Sequence, residues 1–290
     1  MTNLLECLCM REFDVNLITD EIEKMAGKIA CFYHPDIKEA IKQASQNEIS
    51  ERSKTAINML VENSDIAESE NIPLCQDTGL MIVWVHVGQE VHFINGDVNK
   101  AIHEGVKRGY KNNYLRASSV ADPLFERKNT KDNTPAIIYY DITSGDKVKI
   151  EVMAKGFGSE NKSASKMLTP ADGVEGVKQF VLETINNAGP NACPPFIVGV
   201  GIGGTFELAA KMSKEALLRP LSQSNEDERY RKLEDDLLIE ANQLNIGPMG
   251  FHGKTTALKV QIKYAPTHIA GLPVAVNMCC HVCRHDEVEL

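Results

Sequence analysis

The sequence predicts an α/β protein, with mixed β-sheets surrounded by helices and a helical layer at the N-terminus. Three observations carry that prediction. Apolar residues recur every three or four positions over long stretches, as the buried stripe of a helix requires. Two continuous apolar runs, LMIVWVHV and PFIVGVGI, are strand-sized and suit strands buried on both faces. The two kinds of segment alternate with no internal repeat, low-complexity tract or flexible linker, so residues 1–290 read as a single domain.

Each element has its own local reason. Over residues 15–32, Val15, Ile18, Ile22, Met25, Ala26 and Ile29 form an amphipathic stripe. Residues 36–46 and 52–66 repeat it, with Pro35 where a first helical turn tolerates proline. After Asn71 the period changes, and the β-branched and aromatic run 80–87 reads as a strand. Residues 96–110 return to helix, while 135–142 and 147–153 read as a hairpin across Ser144-Gly145-Asp146. A polar, glycine-containing loop is expected beyond Gly156. A helix over 173–187, a strand over 196–202, a helix over 205–218 and a charged helix with a solvated face over 225–244 follow. Residues 247–253 read as a loop, and 256–264 and 273–278 as the last two strands.

Composition excludes several functions. The 290 residues are 43% hydrophobic and 24% charged, with a net charge of −9 and a pI near 5.5. Such acidity argues against a protein whose main task is gripping phosphate backbones, because that needs a basic face to displace counterions. No apolar run approaches the roughly 18 residues of a membrane span. The opening MTNLLECLCMREFD lacks the basic n-region and cleavage site of a secretory signal, so the protein reads as cytoplasmic. In that compartment eight cysteines are no disulfide framework; each is a buried small hydrophobe, a redox thiol or a metal ligand.

Three motifs fail on closer reading. Gly199-Val200-Gly201-Ile202-Gly203-Gly204 satisfies G-x-G-x-x-G between a strand and a helix, but no second parallel strand ending near an acidic residue follows. Close backbone packing is the plainer reading of those glycines. Cys280 and Cys283 form C-x-x-C, yet no second C-x-x-C exists, and His281 and His285 are too near to supply an independent half of a zinc site. Lys254-Thr255 after Gly253 looks like a phosphate binder, but Pro248 stands where a P-loop needs its first glycine.

Cys75 opens Cys75-Gln76-Asp77-Thr78-Gly79, where a carboxylate and an amide beside a thiol make poor core, although Asp-Thr-Gly is also good turn chemistry. Cys193 precedes Pro194-Pro195 on a stiff loop before a buried strand, and Cys280 ends a strand. Three cysteines far apart in sequence, each at a strand boundary, are what three ligands gathered by folding would look like.

Here the sequence resembles a known family, the α-subunit or N-terminal half of the class I iron–sulfur fumarate hydratases, which include the L-tartrate dehydratases. The resemblance runs from about Asn3 to the C-terminus through PLCQDTGL, YLRASSVADPLFERKNTKDNTPA, KGFGSENKSASKMLTPADG, NACPPFIVGVGIGGTFE, IGPMGFHGKTTAL and THIAGLPVAVNMCCHVCRH. It implies that Cys75, Cys193 and Cys280 hold a 4Fe-4S cluster, three thiolates leaving one of four irons open to act as a Lewis acid. It further implies Asp77 as general base, Gln76 orienting substrate and Arg116 clamping a carboxylate. The backbone at Gly158 would approach the substrate, and His268 would line the pocket with a role in substrate access or proton traffic. Cys279 and Cys283 depart from the family string and rival Cys280 for iron. Cys7, Cys9 and Cys31 read as structural. The resemblance implies a separate β-subunit, in an α2β2 assembly, without which this chain is inactive. The expected reaction is hydration of fumarate to L-malate, with L-tartrate dehydration as the alternative. An iron–sulfur sensing or binding protein is the reading from another class.

Overall fold

A computed structural model describes residues 10–290. Cys7 and Cys9 lie outside the described residues. In chain order the first elements are β1 (Arg11–Asp14), α1 (Val15–Cys31), α2 (Pro35–Asn47), α3 (Glu51–Glu70), β2 (Leu80–Gly88), β3 (Val91–Ile94), α4 (Val98–Asn112), β4 (Ile137–Thr143) and β5 (Val148–Lys155). There follow α5 (Phe157–Glu160), β6 (Ala164–Leu168), α6 (Gly173–Ala188), β7 (Phe196–Gly204), α7 (Phe206–Glu215), α8 (Glu228–Gln243), β8 (Ala257–Thr267), β9 (Leu272–Cys279) and β10 (Arg284–Glu289). The α/β class is therefore as expected. The chain divides into two compact units, one of the chain up to Ala30 with Cys75–Ala154 and Arg284–Leu290, the other of Cys31–Leu74 and Lys155–Cys283. No helix among the described residues is long and apolar enough to cross a membrane.

The first unit contains a sheet of order β10-β5-β2-β4 and a two-stranded parallel pair, β1 with β3. The expected hairpin is corrected here. β4 and β5 do not pair; β2 lies between them, parallel to β4, while β5 pairs antiparallel with β10. The connection crosses the end of β2, with Gln89 N–H donating to Thr143 O at 2.8 Å and Glu90 N–H to Gly145 O at 3.1 Å. The physical reason is β2 itself. Met81, Ile82, Val83, Trp84 and Val85 are all buried, and a strand buried on both faces belongs inside a sheet, where both of its edges are paired. β1, β3 and β10 are too short or too polar to announce themselves by pattern, β10 reading Arg-His-Asp-Glu-Val-Glu.

The second unit is layered around the sheet β6-β9-β7-β8, in which β9 is antiparallel to β6 and β7, and β7 is parallel to β8. Val198, Val200 and Ile202 of β7 join Val274, Val276 and Met278 of β9 in a core with Val181 and Ile185 of α6 and Leu237 and Ala241 of α8. Burying each such side chain contributes roughly 1.5–3 kcal/mol. On the other face α7 lies directly on the strand backbone. A Cβ at Gly199 would fall 2.0 Å from Ser213 O, and one at Gly201 2.0 Å from Ala209 O, so close packing accounts for these glycines. The segment after Gly156, expected to be loop, contains α5 and β6. β6 has four exposed residues of five, so no alternating pattern marked it.

Candidate active site

In the first unit, Cys75 and Gln76 lie in a bend before β2, and a set of buried hydrogen bonds fixes that bend. Thr78 Oγ1 donates to Arg116 O at 2.7 Å, tying the Cys75–Gly79 turn to the loop that carries Arg116. The Tyr110 hydroxyl lies 2.8 Å from Thr78 O and 3.0 Å from Gly79 O. Asn133, fully buried, donates to Gly79 O at 3.0 Å while its own oxygen accepts from the amides of Ser118 at 2.8 Å and Ser119 at 3.2 Å. Arg284, also buried, donates to Asp77 O at 2.5 Å and to Ala154 O at 3.2 Å. The Asp77 carboxylate accepts from Gly79 N–H at 3.0 Å, an Asx turn that aims the side chain. Burial pushes the Tyr110 phenol well up, which Arg284 only partly offsets, so Tyr110 stays a hydrogen-bond donor throughout the physiological range.

This unit therefore brings Cys75, Gln76, Asp77 and Arg116 onto two loops stitched to each other. Gln76 and Arg116 are exposed, and Cys75 and Asp77 are half-buried. Tyr110, Asn133 and Arg284 went unrecognised in the sequence. Their signal is present, because polar side chains buried to this degree need partners, but burial itself is not written in the local pattern.

In the second unit, Cys193 and Cys280 extend from the same end of the β7–β9 pair, whose register sets Ile197 opposite Cys279. His281 N–H reaches Cys193 O at 3.5 Å. Cys193 has φ +53°, a left-handed conformation that a non-glycine residue adopts at some cost. Gly158 is at the start of α5. A Cβ there would meet nothing within 4 Å, and its φ is not left-handed, so neither packing nor backbone conformation within the chain demands glycine. Lys155 Nζ, buried at the end of β5, donates to Met278 O at 2.7 Å and Ser159 Oγ at 2.9 Å and pairs with Glu160 at 3.3 Å. Burial pushes the Glu160 carboxyl up, but Lys155 and Lys214 outweigh it and hold it below the usual glutamate range.

His268 lies elsewhere. It follows β8, and the parallel register of β7 with β8 places it beyond the Gly204 end of the sheet, opposite the end that carries Cys193 and Cys280. Eight strand residues separate those ends, roughly 25 Å. Its Nδ1 lies 3.2 Å from the amide of Ala270 and accepts from it, so Nε2 bears the proton of the neutral ring.

The remaining cysteines differ in burial. Cys75, Cys193 and Cys280 are exposed or half-buried, whereas Cys31 and Cys279 are 3% exposed and Cys283 is 1% exposed. A bond to Cys280 pulls the Cys279 thiol down, but Cys283 and burial prevail and push it up to about 12. The Cys283 thiol turns to Leu217 O at 3.8 Å, and His281, between the two cysteines of the C-x-x-C, has its Nδ1 2.6 Å from the buried Tyr33 hydroxyl. Among the described residues, no group of three or more His, Cys, Asp or Glu side chains is placed to hold a metal ion. The Lys254-Thr255 amides are already taken, donating to the buried Glu48 carboxylate at 3.1 and 2.7 Å.

Comparison with known proteins matches the family described as Fumarate hydratase (Fumerase) to residues 19–289. The chain belongs to the fumarate hydratase family. Among its relatives is a protein of Methanocaldococcus jannaschii carried under the provisional name L(+)-tartrate dehydratase subunit alpha, 42% identical over 91% of this chain and 94% of the relative. The L(+)-tartrate dehydratase subunits alpha of Escherichia coli K12 and Shigella sonnei are each 32% identical over 92% of this chain and 88% of theirs. Membership in the fumarate hydratase family makes the chain a lyase relative along nearly its whole length.

Proposed function

We propose that the chain is the cytoplasmic α-subunit of an iron–sulfur hydro-lyase that adds water to fumarate, giving L-malate, and removes it again. The observation that supports this most is the division of the cysteines. The three implied cluster ligands are the three described cysteines that are exposed or half-buried, and their rivals are buried. The donor set fits a 4Fe-4S cluster in chemistry, since three accessible thiols can supply three thiolates and leave one iron to an oxygen ligand. Cys75, Cys193 and Cys280 would hold it, and when bound it supplies a Lewis acid for the substrate hydroxyl and carboxylate.

The chain's own residues do the rest. Asp77, aimed by its Asx turn, takes the proton from the carbon beside the second carboxylate in the dehydration direction. Arg116 offers a planar, two-pronged donor to a carboxylate, and Gln76 supplies a neutral donor and acceptor to orient it. Gly158 leaves open space where a side chain would stand, so substrate can come close to the backbone. His268 has no assigned step within this chain's second unit, given its place at the far end of the sheet. The relatives are named as alpha subunits, which supports a separate β-subunit; in the proposed assembly, α2β2, residues 1–290 would act as one catalytic domain.

The names of the relatives favour a second reading, dehydration of L(+)-tartrate by the same groups. Both substrates are four-carbon dicarboxylates that lose a hydroxyl, so the same Arg116 and Asp77 serve either. The test is anaerobic reconstitution with iron and sulfide of the chain co-expressed with a β-subunit, followed by the ultraviolet absorbance of fumarate from L-malate. Turnover of L(+)-tartrate but not L-malate moves the assignment to the second reading, and turnover of neither by the loaded complex defeats the enzyme.

A further inference from the structure

Lys155 is 1% exposed, and a lysine that deep costs stability unless its charge is paired. Its partners are concentrated at one place, the end of β9 that leads to Cys280. The β6–β9 ladder stops at Ala164 opposite Val276. Past it, side chains from the segment 155–163 replace a strand: Met278 O accepts from Lys155 Nζ at 2.7 Å, and Met278 N–H donates to Ser163 Oγ at 3.0 Å. Asn277 Nδ2 donates to Glu160 Oε2 at 3.1 Å, and Glu160 is paired with Lys155 and with Lys214 of α7. Gly158 lies within the same segment, on the turn that Lys155 closes through Ser159 Oγ.

We propose that Lys155, Glu160 and Ser163 form a positioning device that fixes the end of β9, and with it Cys280, relative to the open backbone at Gly158. The proposal rests on the reading of Cys280 as a cluster ligand and Gly158 as substrate-facing. The device sets the distance between a metal-holding thiolate and the backbone that receives the substrate, and neither Lys155 nor Ser163 touches a reacting atom. A buried ionic network with a purely architectural role would be replaceable by apolar side chains of similar volume with no loss beyond stability. A positioning device would not.

The experiment uses the chain with its partner subunit, reconstituted anaerobically, in three forms: wild type, Lys155→Met/Glu160→Met, and Ser163→Ala. The double variant removes both members of the ion pair so that the Lys155–Glu160 pair leaves neither charge behind. Thermal midpoint, release of iron to a ferrous chelator, KM and kcat are measured. In the double variant, iron release is expected to accelerate and KM to rise, each about 10-fold, the scale of a lost second contact behind a ligand, with kcat changing less. Ser163→Ala moves the same two readouts in the same direction. A folded double variant with wild-type iron release and KM overturns the proposal; if the double variant does not fold, unchanged iron release in Ser163→Ala does so. A wild-type complex that takes up no iron overturns the cluster reading first, and this proposal with it.

Discussion

Cys193 and Cys279 have the same side chain and opposite surroundings, one exposed on a left-handed turn and the other sealed in the core. That difference decides which thiol can become a ligand, because a thiolate needs solvent, cation or metal, and burial among apolar groups keeps the proton on. Cys193→Ser should therefore abolish iron uptake by the reconstituted complex, while Cys279→Ser and Cys283→Ser keep it, as read by iron content and visible absorbance. Loss of iron in either of the latter would reassign the third ligand. Asp77 offers a cleaner separation of chemistry from structure. Asp77→Asn retains an oxygen to accept from Gly79 N–H, so the turn survives while the base is lost. Turnover should fall by roughly 10²- to 10⁴-fold, the usual contribution of a general base, with iron content unchanged. The roles proposed for these residues come from the family strings; the bonds that tie Tyr110, Asn133 and Arg284 to the Asp77–Gly79 backbone beneath them do not, because each of those bonds spans more than 30 residues of sequence.

Strand order is where pattern reasoning failed, and the failure has a cause at the level of the element. The turn at residues 144–146 has good hairpin chemistry, but two local strands cannot outbid a neighbour as apolar as β2 for the central position. The polar face of that sheet is strapped across its strands. His86 of β2 lies 3.5 Å from Asp141 of β4 and 2.7 Å from Glu151 of β5, and Lys149 bridges Glu151 at 3.1 Å and Glu287 of β10 at 2.8 Å. Burial pushes the Glu151 carboxyl up, but His86 and Lys149 prevail and hold it below its ordinary value. A depressed carboxyl stabilises the fold above the unfolded-state value and loses that contribution as pH falls toward and through the folded one. Urea unfolding should accordingly show Glu151→Gln less stable than wild type near pH 7, with the gap narrowing below about pH 4, the ordinary range of a glutamate. An equal gap at both pH values would remove the linkage. On the other sheet, Gly201→Ala must displace α7 or β7, since its Cβ meets Ala209 O at 2.0 Å. Its unfolding free energy should drop by roughly 1–3 kcal/mol, the usual cost of overpacking.

For the molecule as a whole, Gln76, Asp77 and Arg116 lie on loops of one unit, and Cys193 and Cys280 at a sheet end of the other. Expressed without a β-subunit and loaded with iron, it should show no turnover of L-malate or L(+)-tartrate, and addition of the partner should restore it; activity in the isolated chain would dispense with the partner. The helices, the two buried strands and the family are all present in local pattern, because a 3.6-residue stripe, an unbroken apolar run and a string such as PLCQDTGL each concern neighbours in sequence. Strand order, the placement of His268 at the far end of its sheet, the burial that separates Cys280 from Cys279 and Cys283, and the lysine clamp on β9 depend on residues tens to hundreds of positions apart. Those were decided only when the chain closed on itself, since burial and pairing are properties of the packed whole and have no counterpart in any short stretch of it.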